Sequence, residues 1–139
     1  MSYLERDTYG IYKNSNVQGV PTLMGVNTFL GGDIYNRQEE NLGDIKEIML
    51  NIHTGRVAYA VLSFGGFLGI GEKLFAVPWN ALKLDHNKKC FVLNVEKEHL
   101  KSAPGFDKDN WPNMADPVWE KEINSYYETQ LNNDAMPVL

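Results

Sequence analysis

From Arg56 to Phe64 the chain sets Val57, Tyr59 and Val61 against Ala58, Ala60, Leu62 and Phe64. Alternation at period two with β-branched and aromatic residues predicts a strand. Both of its faces are apolar, so both need cover, which a small barrel obtains from the tail, a neighbouring helix or a second subunit. Residues 42–51 read as its hairpin partner through His53-Thr54-Gly55, where Gly55 supplies the positive φ that a tight turn uses. The alternation slips between Ile45 and Ile48, which predicts a β-bulge near Glu47. Further short strands are expected at 28–30, 33–35, 73–79, 81–84 and 90–95, with 85–88 as the polar turn between the last two. Pro78 has no N–H to give and belongs at a strand end or edge.

The period changes near the C-terminus. Asp116 before Pro117 fits an N-cap with proline at the first helical position, and Trp119, Ile123, Tyr126 and Tyr127 then fall on one helical face. A shorter helix is expected around 96–101, ended by Ala103-Pro104-Gly105. The first twenty or so residues are polar, with Tyr3, Tyr9 and Tyr12 as their aromatic anchors, and read as an arm with weak structure of its own. The expected organisation is an arm over 1–21, a mainly β barrel over 22–102, and a tail over 103–139 whose helix docks on the barrel or on a partner subunit.

Length limits the chain to one core, since 139 residues leave little for a second. Charge marks the boundary of the tail: residues 1–102 hold eleven acidic and eleven basic side chains, while 103–139 hold seven and two, so the net charge of -5 lies in the tail. That balance argues against a protein that grips phosphate backbones, and nucleic acid is not an expected partner. A single cysteine builds no internal disulfide framework, which points to a reducing cytoplasm. No run is long and apolar enough for a membrane span, and residues 1–19 show no signal-peptide pattern.

Candidate chemistry is sparse. The run from Gly65 to Gly71 carries four glycines, but Glu72 stands where a phosphate-binding loop needs lysine, and Leu74 stands at the third glycine position of a dinucleotide fingerprint. Phe67, Leu68 and Ile70 on this glycine hinge suit protein contact better than anion binding. His53, His86 and His99 lie far apart in sequence, and Cys90 reads as a small buried hydrophobe rather than a nucleophile served by His86. Asp107, Asp109 and Asp116 lack the calcium-loop pattern and read as turn and cap residues. Trp79, Trp111 and His86 are the candidates for a ligand pocket with aromatic walls. No metal ligand, cofactor or catalytic residue is expected.

Three blocks carry a family resemblance: Glu40 to Asn51 with Gly43-Asp44-Ile45, Thr54 to Leu62 with Gly55-Arg56-Val57, and Phe75 to Trp79 with Val77-Pro78-Trp79, followed by Leu82. In this order and spacing they resemble a PRC-barrel domain over roughly residues 22–95, and Ala103 to Pro112 with Trp119 and Tyr126-Tyr127 resembles the tail of small stand-alone bacterial members. The family includes the cytoplasmic domain of the photosynthetic reaction-centre H subunit and the C-terminal domain of a ribosome-maturation factor. The resemblance implies a small PRC-type β-barrel that serves as an interaction or assembly module without catalytic residues. The expectation is therefore a non-enzymatic cytoplasmic protein with an unknown protein partner, self-associating as a dimer through Val57, Tyr59, Val61 and Phe64 or through Phe67, Leu68 and Ile70. The alternative is a small-molecule binder or weak enzyme with a pocket at Trp79, Trp111 and His86, ahead of a role in RNA maturation or photosynthetic electron transfer.

Overall fold

In the computed structural model, which describes residues 3–12, 23–64, 73–85 and 87–133 (of 129–133 the backbone alone), a long hairpin forms the spine of a six-stranded half-barrel. Its arms are β2 (Asn41–Asn51) and β3 (Arg56–Phe64), with β1 (Asp33–Tyr35) before them and β4 (Lys73–Pro78), β5 (Leu82–Asp85) and β6 (Cys90–Leu93) after. The order across the sheet is β4-β3-β2-β1-β6-β5, antiparallel throughout except for the parallel pair β1 and β6. The hairpin turn explains its own register. The Asn51 side-chain oxygen accepts the N–H groups of His53 (2.9 Å) and Thr54 (3.2 Å), and Gly55 takes φ 76°. The pairing shifts between Ile45 and Glu47, the expected bulge, and again between Met49 and Leu50.

Gly43 shows why the first block of the family pattern needs glycine. It sits in β2 at φ 111°, and a Cβ there would lie 2.0 Å from the Ser63 carbonyl oxygen of β3. Two strands meet at this point with no room for a side chain.

The segment expected as a strand at 28–30 is instead a single helical turn, α1 (Val26–Phe29). Tertiary capture overrides its β-prone composition. The Thr28 hydroxyl bonds the Tyr12 hydroxyl at 2.8 Å, while the Phe29 ring packs 5.4 Å from Trp79 and 4.9 Å from Phe91. The chain reaches the sheet only afterwards, where Gly31 N–H donates to Ile45 O (2.7 Å) and Ile45 N–H to Gly32 O (3.0 Å). The described part of the N-terminal region docks on the same side. Tyr3 and Tyr12 are both buried and meet edge-on at 5.6 Å, and the Asp7 carboxylate holds the N–H groups of Ile11 and Tyr12.

After β6 come α2 (Lys97–Lys101) and the tail helix α3 (Pro117–Asn133). Between them Phe106 pairs with Leu74 through both backbone bonds, each 2.9 Å, and so adds to the outer side of β4. The Asp116 carboxylate accepts the Val118 N–H at 3.0 Å, the expected N-cap. Ile123 and Tyr127 are buried, and Trp119 and Tyr126 are half-buried against the core. A reciprocal contact fixes α2 to α3: the Tyr126 hydroxyl donates to the His99 carbonyl (2.6 Å), and the His99 Nε2 lies 3.2 Å from the Tyr126 carbonyl. The two rings stack at 4.2 Å. The cover that β3 needs on its second face therefore comes from the chain's own tail.

Candidate functional site

The β2–β3 hairpin outreaches its neighbours. Pairing of β1 with β2 runs from Asn41 to Asp44, and that of β4 with β3 begins at Tyr59, so residues 46–51 and 56–58 carry no second strand among the described residues. The Ile48 N–H donates to the carboxylate of its own neighbour, Glu47, at 3.0 Å. At the tip Leu50 is 54% exposed and Ile52 82% exposed. Leu23 and Val118 are comparably exposed elsewhere, but Leu50 and Ile52 stand together beside the unpaired edges of the hairpin.

Beside this tip lies a groove of about 720 Å³. The hairpin gives it one wall with Met49, Leu50, Ile52 and Val57, and Tyr59 stands further along the same strand. Pro78 and Asn80 border it where β4 gives way to the single 3-10 turn Trp79–Ala81. Opposite are Asn113 and Met114 from the turn before α3, and Glu120 and Asn124 from its first turns. That turn is pinned by the Asn113 side-chain oxygen, which accepts the Ala115 N–H at 3.1 Å. Asn124 is held by its side-chain amide, which donates to the Glu120 carbonyl at 2.8 Å.

Among the described residues the groove has apolar walls and an amide border, with Glu120 as its one carboxylate, His53 as its one imidazole and no Lys or Arg in its lining. Burial pushes the Tyr59 phenol above its ordinary value, and the Glu120 charge adds to that rise, while a hydrogen bond with the Asn124 side chain offsets part of it. Tyr59 is thus a neutral hydroxyl at physiological pH. Such a site can orient a ligand by hydrogen bonds and one negative charge.

The residues expected to form an interface separate in the structure. Tyr59 and Val61 are buried inside one chain, Tyr59 with its ring 5.2 Å from Trp119, and so neither offers free surface to a second copy. Phe64 is half-buried, with Phe75 at 6.5 Å and the Lys97 ammonium 5.8 Å over its ring. Val57 is half-buried and lines the groove. Phe67, Leu68 and Ile70 lie outside the described residues, as does His86. Trp79 joins the Phe29 and Phe91 rings, whereas Trp111 packs on Phe106 at 5.0 Å and donates its indole N–H to the Lys108 carbonyl at 2.8 Å. The two tryptophans thus serve different clusters, and neither lines the groove.

Cys90 is buried and unbridged, with burial first and Asp85 second raising its thiol pKa. Among the described residues no group of three or more His, Cys, Asp or Glu side chains gathers as a metal site. No helix of the described chain is long and apolar enough to cross a membrane.

Sequence reasoning passed over Leu50, Ile52, Asn80, Met114, Glu120 and Asn124, which come from four separate segments of the chain. The one local signal was Leu50 and Ile52 flanking a turn, where polar residues are the rule.

A search of curated proteins returns no match. The family model for the PRC-barrel domain matches residues 21–100, more than half of the chain. That span takes in all six strands and α1, with Gly43 at its close approach in β2, Gly55-Arg56-Val57 entering β3, and Val77-Pro78-Trp79 closing β4. The chain belongs to the PRC-barrel domain family.

Proposed function

We propose that this protein is a non-enzymatic interaction module of the cytoplasm that assembles as a homodimer through the end of the β2–β3 hairpin. One observation carries the reading: Leu50 and Ile52 stand exposed at a hairpin end, residues 46–51 and 56–58, whose outer edges carry no strand among the described residues. An open strand edge is a template for another chain, and a two-fold axis lets the same edge meet itself. The contact face is thus the hairpin end and not the covered faces of β3. The buried, unbridged thiol of Cys90 accords with a reducing compartment.

The test is native mass spectrometry over a range of protein concentrations. The expected result is a species of twice 15.8 kDa whose share grows with concentration. A species of 15.8 kDa alone at every concentration overturns the dimer.

A further inference from the structure

We propose that the groove is filled by the hairpin turn of the second copy, whose residues 56–58 run antiparallel along the open β3 edge at 56–58. This rests on reading the hairpin end as the contact face, and it adds which of the two open edges joins the copies and what occupies the groove.

Each edge carries one bulge, since the residues left out of the pairing are Lys46 in β2 and Ala58 in β3. What lies outside each edge separates them. On the β2 side the Glu47 carboxylate holds the Ile48 N–H at 3.0 Å, so an incoming strand must first displace a charged side chain. On the β3 side the ladder with β4 keeps register from Phe64 to Tyr59 and stops at Pro78, which has no N–H to give and leads into the turn Trp79–Ala81. Strand β3 itself continues to Arg56, and Val57 and Ala58 form part of the groove's lining. The groove thus opens where β4 ends, in the place a further strand would take.

An added segment there lies between the β3 edge and the 113–115 turn. Met114 gives it an apolar contact on the far side, and Asn80 and Asn113 border it with side-chain amides that suit backbone N–H and C=O groups. A two-fold axis brings an edge against its own copy in the antiparallel sense, so this edge is complementary to itself. Ile52 gives the second reason to seat a copy of this chain here. It is 82% exposed, and placing each turn in the other's groove takes both Ile52 side chains out of water at once. A groove of about 720 Å³ holds a turn of a few residues.

The test has two arms, both on the full chain. Amide exchange followed by NMR at low and high concentration is expected to slow at residues 56–58 as the dimer forms and to stay unchanged at Ile48. Native mass spectrometry then compares two variants, with circular dichroism to verify folding. Ala115 is exposed on the far wall of the groove, and Ala115→Arg is expected to weaken association at least about tenfold by filling it. Val118, 74% exposed, borders a different stretch of α3 with Lys121 and Ser125, and Val118→Arg is expected to leave association as it was. Slowed exchange at Ile48 with none at 56–58, or a dimer indifferent to Ala115→Arg, overturns the proposal and leaves the hairpin-end dimer standing. Equal weakening by Val118→Arg does the same, since it traces the loss to charge on the tail. An unaltered chain that stays at 15.8 kDa overturns both.

Discussion

The Trp119 ring meets the Tyr59 ring edge-on at 5.2 Å, and through this contact the tail helix covers the face of β3 that the half-barrel leaves open. Ile123, one turn further on, is fully enclosed, whereas Trp119 keeps part of its ring in solvent. Ile123→Ala should therefore cost about 3 kcal/mol, and Trp119→Ala about 2 kcal/mol despite its greater size. Chemical denaturation measures both. Losses below about 0.5 kcal/mol would mean that α3 contributes nothing to the core.

Gly43 tolerates no side chain. With φ at 111° and the Ser63 carbonyl oxygen 2.0 Å from the site of a Cβ, Gly43→Ala must either push β2 from β3 or break the pairing. The expected cost is about 3 kcal/mol or more, read from thermal or chemical unfolding. Gly55→Ala is the useful comparison, because no atom lies within 4 Å of its Cβ position and only the positive φ opposes it. It should cost about 1 kcal/mol.

Tyr127 carries a buried hydroxyl without a hydrogen-bond partner among the described residues. Burial, with Tyr126 as a smaller contribution, raises its phenol well above the ordinary value of 10.0. The folded state then keeps a proton that the unfolded chain releases, so stability is whole below pH 10.0 and falls as pH rises beyond it. Tyr127→Phe removes both the unpaired hydroxyl and this titration. It should add about 1 kcal/mol at neutral pH and move the alkaline unfolding midpoint upward, as followed by circular dichroism. An unchanged alkaline midpoint would assign the loss of stability to other tyrosines.

Glu47 holds the Ile48 N–H at 3.0 Å and leaves that donor occupied on the stretch of β2, residues 46–51, that has no neighbour beyond β3 among the described residues. A charged side chain of this kind restrains edge pairing. Glu47→Ala should therefore strengthen self-association several-fold, about 1 kcal/mol, in sedimentation equilibrium. Weaker association would assign Glu47 a favourable contact in the dimer.

The hairpin, its bulge and the tail helix were legible because each rests on local periodicity. Alternation placed β3 at its observed ends, the slip after Ile45 marked the bulge, and the spacing of Trp119, Ile123, Tyr126 and Tyr127 marked the buried side of α3. What sequence could not give was which surface covers which. Thr28 and Phe29 have strand composition, yet Tyr12, Trp79 and Phe91 capture them in a helical turn. Tyr59 and Val61 read as surplus apolar surface until α3 is laid over the sheet. The groove joins hairpin, β4 end, the 113–115 turn and α3, and no periodicity relates segments so far apart.

The central claim is that the hairpin end, and no other face, joins one copy to the next. The most direct measurement is the native mass of the Leu50→Asp, Ile52→Asp double variant beside that of the unaltered chain, at equal concentration and with circular dichroism to verify folding. Both side chains are exposed, so charges there leave the core intact. The unaltered chain is expected at twice 15.8 kDa and the folded variant at 15.8 kDa. A folded variant that still dimerises as the unaltered chain does would contradict it.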